Sequence, residues 1–337
     1  MPEINGADWK EFLSAHPSAH LLQSGEWGEL KSVFGWEAVH VVEGDVGAQI
    51  LFRRLPLGFT FAYMPKGPVT NHEPGPDFWA SVDHSCHKRR AVFLKVETDG
   101  WEEDQSTVAY SEKMFTASPQ HIQPHSTLVV DLQADQEEIF NRMKPKTRYN
   151  IRLAGRKEIL VHSSTDIDNF YGVMGMTSQR EAFHVHSKDY YRRAYEIFYP
   201  KGMCELFVAD FQGKTLAAVM VFAFGKTAYY FYGASADMER NRKPTYPLQW
   251  EAICWAHRRG CVEYDMWGIP DEASNVEDDE AEAREDGLWG VYRFKRGFGG
   301  RLRRTIGAWD LVYAPLRYRL YSAAVGWLNR RQTGQWT

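Results

Sequence analysis

A chain of 337 residues, 44% hydrophobic and 14% aromatic, has ample material for folded cores, and its length fits two domains rather than one. A formal net charge of −4 and a pI near 6.3 argue against a protein that holds nucleic acid by bulk electrostatics, so any RNA contact has to be local. Cys86, Cys204, Cys254 and Cys261 stand far apart with no Cys-x-x-Cys spacing, a pattern of buried thiols in a reducing compartment rather than of a zinc site or a disulfide framework.

In chain order, Asp8 is placed to cap a short helix bearing Trp9, Phe12 and Leu13, and an amphipathic helix over 21–31 ends near Lys31. The mixed charges of the first residues contain no apolar signal core, so the reading is cytoplasmic, with peripheral contact with a membrane left open. Alternation predicts strands at 36–42, 48–55 and 59–64, an antiparallel meander. A Pro-rich loop over 65–76 leads to a helix with Phe78, Val82 and Cys86, then a strand at 91–96 and an irregular stretch over 98–123. A strand at 127–132 and a helix at 134–143 follow, before Pro145 interrupts.

Residues 146–157 form a basic segment whose Tyr149, Ile151 and Ala154 fill no single face. A solvated basic helix and a phosphate-contacting one are both open there, and a domain junction is expected close by. Helices at 166–183 and 187–198, strands at 203–211, 215–224 and 228–232, a helix at 244–259 and a strand at 262–267 then repeat the order of the first half. Two related α/β units are therefore expected instead of one large sheet. The run around 216–224 is too short to span a bilayer, and 271–286 reads as an exposed acidic loop. The chain closes with a strand through 308–312 and an amphipathic helix bearing Arg317, Arg319, Arg330 and Arg331.

The stretch 289–300, Trp-Gly-Val-Tyr-Arg-Phe-Lys-Arg-Gly-Phe-Gly-Gly, concentrates aromatics, cations and glycines around Phe294 and Lys295. It reads equally as a site for a nucleotide end or an oxyanion and as a basic β-strand closed by a glycine hairpin. Elsewhere no Walker loop, Gly-x-Ser-x-Gly elbow or His-Glu-x-x-His is present, and His184 with His186 reads as surface or core rather than a metal pair. The helix–meander–helix–strand order is that of N-acyltransferases that use coenzyme A, but neither half supplies their pyrophosphate-cradling loop.

Six stretches in order carry a specific resemblance: Leu22-Gln-Ser-x-x-Trp27, Tyr63-Met-Pro-Lys-Gly-Pro68, Lys144-Pro-Lys-Thr-Arg-Tyr-Asn-Ile-Arg152, Tyr232-Gly-Ala-Ser235, Tyr264-Asp-Met-Trp-Gly-Ile-Pro270 and Gly290-Val-Tyr-Arg-Phe-Lys-x-Gly-Phe-Gly299. Together they resemble the FemABX peptidyltransferases, which add amino acids from aminoacyl-tRNA to peptidoglycan precursors, in the shorter FemX-like form without a coiled-coil insertion. The resemblance implies an α/β fold of two tandem GNAT-like domains with mixed sheets: residues 1–143 with 306–337, and residues 144–305. It implies transfer to the side-chain amine of a stem peptide, on lipid II or UDP-MurNAc-pentapeptide, by a monomer that needs neither metal nor organic cofactor.

Matched position by position, Phe294 and Lys295 meet the tRNA end and the reacting ester. Lys31, His186 and Tyr190 meet the acceptor's diphosphate, and Tyr232 lines the substrate. Trp27, Tyr63 and Lys66 join the substrate side, although Trp27, Tyr63 and Trp267 also read as core aromatics. Lys146, Arg148, Arg293 and Arg296 are assigned to tRNA. His186 stands where the family has an arginine, and Asn71 near where many members carry an aspartate proposed as a base. A small soluble amine as acceptor, or a precursor- or RNA-binding protein without turnover, are the alternatives on the same fold.

Overall fold

The structure, a computed structural model, describes residues 3–103, 115–181, 185–276, 278–284 and 286–332. The chain begins with β1 (Glu3–Ile4), α1 (Gly6–Ser14), α2 (Gly25–Val33), β2 (Trp36–Glu43), β3 (Val46–Arg54), β4 (Thr60–Pro65), α3 (Pro76–Lys88), β5 (Ala91–Glu97) and β6 (Thr116–Ala117). It continues with β7 (Ser126–Asp131), α4 (Gln136–Arg142), α5 (Pro145–Arg156), β8 (Leu160–Ser163), α6 (Ile167–Glu181), α7 (Lys188–Phe198), β9 (Cys204–Phe211), β10 (Lys214–Phe224), β11 (Thr227–Ser235), α8 (Thr245–Arg258) and β12 (Glu263–Asp265). Last come α9 (Asp278–Ala283), α10 (Trp289–Arg296), β13 (Arg301–Arg304), β14 (Ala308–Val312) and α11 (Pro315–Gln332).

Two compact units result, Met1–Ser126 with Arg303–Thr337, and Thr127–Leu302. Their sheets follow one plan, in the orders β1-β2-β3-β4-β5-β14-β6 and β13-β7-β12-β11-β10-β9-β8. In each, a meander (β2-β3-β4 or β9-β10-β11) is followed by a helix (α3 or α8) and a parallel strand (β5 on β4, β12 on β11). An antiparallel strand from elsewhere in the chain then covers that parallel strand: β14 on β5, and β7 on β12. The repeated order read along the sequence is this plan, a mixed α/β sheet formed twice.

The chain changes unit at 126/127 and 302/303, whereas the sequence expectation put the changes at 143/144 and 305/306. The reason lies in packing. The segment carrying β7 and α4, residues 127–143, buries Leu128, Val130, Leu132, Ile139 and Met143 in the second core, with Phe207, Val219, Val221 and Tyr264. Pro145 is no border either: its fixed φ suits the first turn of α5, where it stands.

The 289–300 stretch forms α10 rather than a strand and hairpin. Its buried residues Trp289, Tyr292 and Lys295 recur every three positions, a helical rather than an alternating period. The glycines that follow are needed for close approach: a Cβ on Gly297 would collide with the Thr147 hydroxyl, and Gly299, at φ +83°, would bring one within 2.8 Å of the Arg142 carbonyl. The 98–123 stretch, expected to be irregular, contributes β6, and the acidic stretch 271–286 contains the short α9.

Candidate active site

In the second unit, β11 and β12 pair only from Thr227↔Glu263 to Tyr229↔Asp265, after which β12 stops while β11 runs on to Ser235. At the same point β11 carries a bulge: Met220 faces Tyr232 and Phe222 faces Tyr229, so Tyr230 and Phe231 oppose Val221 alone. Beyond Asp265 the chain turns away through Trp267, held at φ +60°. The Asp265 carboxylate fixes this turn, its Oδ1 accepting the Trp267 amide at 2.7 Å and the Thr127 hydroxyl from β7. Phe231 lies against Trp267, ring centroids 4.5 Å apart.

Lys295 of α10 reaches into this opening. Its Nζ donates to the Trp267 carbonyl at 3.1 Å and the Gly268 carbonyl at 2.8 Å, and lies 5.4 Å from the Tyr230 ring centroid. An ammonium has three N–H groups, and these two carbonyls take two of them. The side chain is 6% exposed, and burial pushes its pKa down to about 7 against the opposing pull of the Asp265 carboxylate. A buried lysine shifted this far, beside a parting of two strands, is a candidate functional group. Phe294, one residue earlier, is half-buried and packs edge-on to Tyr246 at 5.3 Å and Phe298 at 5.1 Å.

Farther along β11, Tyr232 joins an aromatic cluster with Tyr191 at 5.0 Å, His186 at 5.9 Å and Tyr190 at 6.5 Å. His186 is exposed and stacked on Tyr190 at 4.0 Å, its amide donating to the Tyr191 hydroxyl at 3.3 Å. Burial holds the Tyr191 and Tyr232 hydroxyls protonated, their pKa values well up from 10. One strand thus links the Lys295 opening to three of the expected substrate residues. His184, its expected companion, lies outside the described residues.

Of the residues assigned to RNA, Arg148 donates to the carbonyls of Asn141 and Met143, and Arg293 to those of Ala281 and Arg284. Arg296 leans on the Tyr292 ring, and Lys146 is exposed on α5. The Lys144 amide donates to the Gly297 carbonyl at 2.9 Å, so the basic helix starts where the Lys295 helix ends.

In the first unit, Trp27 and Lys31 share one face of α2, with Nζ 4.5 Å from the indole centroid. Gln23, fully buried, donates to the Pro65 carbonyl at 2.5 Å and accepts the Gln49 amide at 2.7 Å, tying the α2 entry to the end of β4. Just past β4, Lys66 sits 5% exposed at φ +51°, 3.9 Å from Asp99 and 5.5 Å from the Trp101 ring. The Tyr63 hydroxyl donates to Glu97, which also accepts the amides of Ile122 at 2.5 Å and Gln123 at 3.1 Å. Asn71 is exposed in the loop beyond.

Reading the sequence alone misses Asp265, Thr127 and Tyr230 in the second unit, and Glu97, Asp99 and Gln123 in the first. The one signal for Asp265 is its place inside the stretch Tyr264–Pro270 that already carried the resemblance.

Two meander sheets, each with a parallel fourth strand, and an opening where β11 and β12 part define a tandem N-acyltransferase-like fold. A solved tandem GNAT protein of the clavulanic acid pathway is similar, with a TM-score of 0.50 at 10% identity over 92% of this chain and 97% of that one. The FemAB family matches residues 4–215 and 201–325, and the chain belongs to that family. The FemX crystal structure is similar with a TM-score of 0.83 at 22% identity, covering 96% of this chain and all of that one. Lipid II:glycine glycyltransferase of Staphylococcus haemolyticus is 24% identical, covering 94% of each chain.

Proposed function

We propose that the protein is a transferase of peptidoglycan assembly that moves an amino acid from aminoacyl-tRNA to the side-chain amine of a precursor's stem peptide. The observation that carries the reading is Lys295, buried at the parting of β11 and β12 with a pKa near 7 and two backbone carbonyls holding its Nζ. The amine nitrogen attacks the ester carbonyl carbon and a C–N bond forms. The carbonyl oxygen takes up negative charge, which the Lys295 ammonium stabilises more than it stabilises the neutral ester. Collapse breaks the C–O bond to the ribose, whose oxygen leaves with the proton that the amine gives up. Phe294 offers its ring to the terminal adenine, and Tyr232, Tyr190 and His186 line the acceptor side.

The family match and the glycyltransferase relatives support this substrate class. The absence of a pyrophosphate loop in the sequence favours a tRNA ester over coenzyme A as donor. The test is incubation with a mixed charged tRNA pool and both lipid II and UDP-MurNAc-pentapeptide, read by mass. Transfer that disappears when the donor pool is treated with ribonuclease is expected. Transfer from free amino acid with ATP, or from acyl-coenzyme A, overturns the reading.

A further inference from the structure

The first unit carries a surface that neither its core nor the proposed reaction uses. The β3–β4 connection, Arg53-Arg-Leu-Pro-Leu-Gly-Phe59, closes through the Leu55 amide on the Phe59 carbonyl at 2.8 Å and presents Leu57 85% exposed. Leu57 stands at φ +64°, a conformation that suits asparagine or glycine, so neither packing nor turn geometry accounts for a leucine there.

The Phe59 ring is covered by two guanidinium groups, Arg90 with its centre at 4.5 Å and Arg317, in the first turn of α11, at 3.8 Å. That contact brings the start of α11 beside the Leu57 turn. On α11, Tyr318 and Tyr321 turn inward onto Phe93, at 5.1 and 4.8 Å. Leu316 and Leu320, one helical turn apart, are left 77% and 74% exposed.

The three exposed leucines share these segments with Arg53 and Arg54 at the start of the turn, Arg90 and Arg317 on Phe59, and Arg319 on α11, and none of these five is ion-paired to a described carboxylate. The segments 53–59 and 315–324 contain no acid at all. Among the described residues no helix is long and apolar enough to cross a membrane, so this surface would meet a bilayer from outside.

We propose that this face, formed by the Leu57 turn and the first turns of α11, docks the protein on an anionic lipid bilayer. The leucines enter the acyl boundary and the arginines meet the headgroup phosphates. Charge complementarity selects the anionic surface, and exposed leucine selects lipid over RNA, which would be met by exposed aromatic rings for stacking. The inference goes beyond the proposed reaction, and its test needs no turnover.

The full chain is co-sedimented with vesicles of phosphatidylglycerol and phosphatidylcholine in equal parts, and with vesicles of phosphatidylcholine alone, at low and high salt. Binding to the anionic vesicles only, weakened by salt, is expected. The variant Leu57→Asn/Leu316→Gln/Leu320→Gln keeps the left-handed turn and the helix, and is expected to lose partitioning at least about tenfold. Arg317→Ala and Arg319→Ala are each expected to lose about fivefold. Failure to bind at low salt, or binding that the leucine variant leaves unchanged, overturns the proposal. So does a chain that ignores vesicles but retards bulk tRNA through the same arginines, or one that elutes as a dimer dissolved by the leucine variant.

Discussion

Lys295 is held by two carbonyls in a place where a charge is costly, which makes its role separable by kinetics. Lys295→Met is expected to lose about a hundred- to a thousandfold in kcat at saturating charged tRNA while keeping acceptor affinity and fold. Phe294→Ala is expected chiefly to raise the donor's KM. Full turnover by Lys295→Met would reassign the lysine to RNA docking. The pH dependence has a definite sign. With a folded pKa of about 7, the ammonium is lost as pH rises through that value, whereas the acceptor amine must lose its proton to attack. The site is expected to bind the acceptor amine already deprotonated, so that kcat follows the Lys295 ammonium and has a falling limb near pH 7, and Lys295→Arg is expected to retain reduced activity while losing that limb. In stability the same group acts oppositely. An unfolded lysine keeps its proton up to about pH 10.4, so between that value and the folded pKa the unfolded state binds more protons and Lys295 favours folding increasingly as pH rises.

Where β12 ends, one carboxylate serves both the shape and the charge of the opening. Asp265→Asn keeps an oxygen for the Trp267 amide but removes the charge that holds the Lys295 pKa up. The falling limb of the kcat profile is expected to move to lower pH, with kcat at neutrality down about tenfold. A fall in kcat without that movement would reduce Asp265 to a support of the turn. The elements differ in how far they could be read from sequence. The strands β9 to β11 are apolar runs and alternations set off by glycine turns, and the pattern finds them to within a few residues. α5 is legible as a basic helix, but its inward face hides because its buried positions are Thr147, Asn150 and Ala154, small or polar groups that periodicity does not count as core. α10 hides because a lysine occupies one of its three buried positions. Lys295 came from the resemblance, but its supports did not. Thr127 meets Asp265 across 138 positions, and the bulge at Tyr230 exists only once β10 and β11 are in register. No local pattern records either fact.

Across the whole molecule each unit has its own prediction. In the first, Lys31→Ala is expected to raise the acceptor's KM about ten- to a hundredfold while leaving the donor's unchanged, the loss of one charge-assisted phosphate contact. An unchanged acceptor KM would remove Lys31 from that site. The same unit is closed by a buried network in which Lys95 on β5 meets Asp310 on β14 at 3.0 Å, and Asp310 also accepts from Ser118 at 2.8 Å and from Tyr318 at 2.7 Å. Asp310→Ala leaves the lysine charge without its partner, and chemical denaturation is expected to show a loss of about 3–5 kcal/mol in the first unit's transition. That network also orders events during synthesis. The second unit is one uninterrupted stretch, Thr127–Leu302, whereas the first needs β14 to cover β5 along Phe93–Glu97. On the ribosome the later unit can therefore complete its sheet while the earlier one waits. Until β14 emerges, the apolar edge of β5 is open to any other strand, and the nascent chain's need for a chaperone falls on its first-made half.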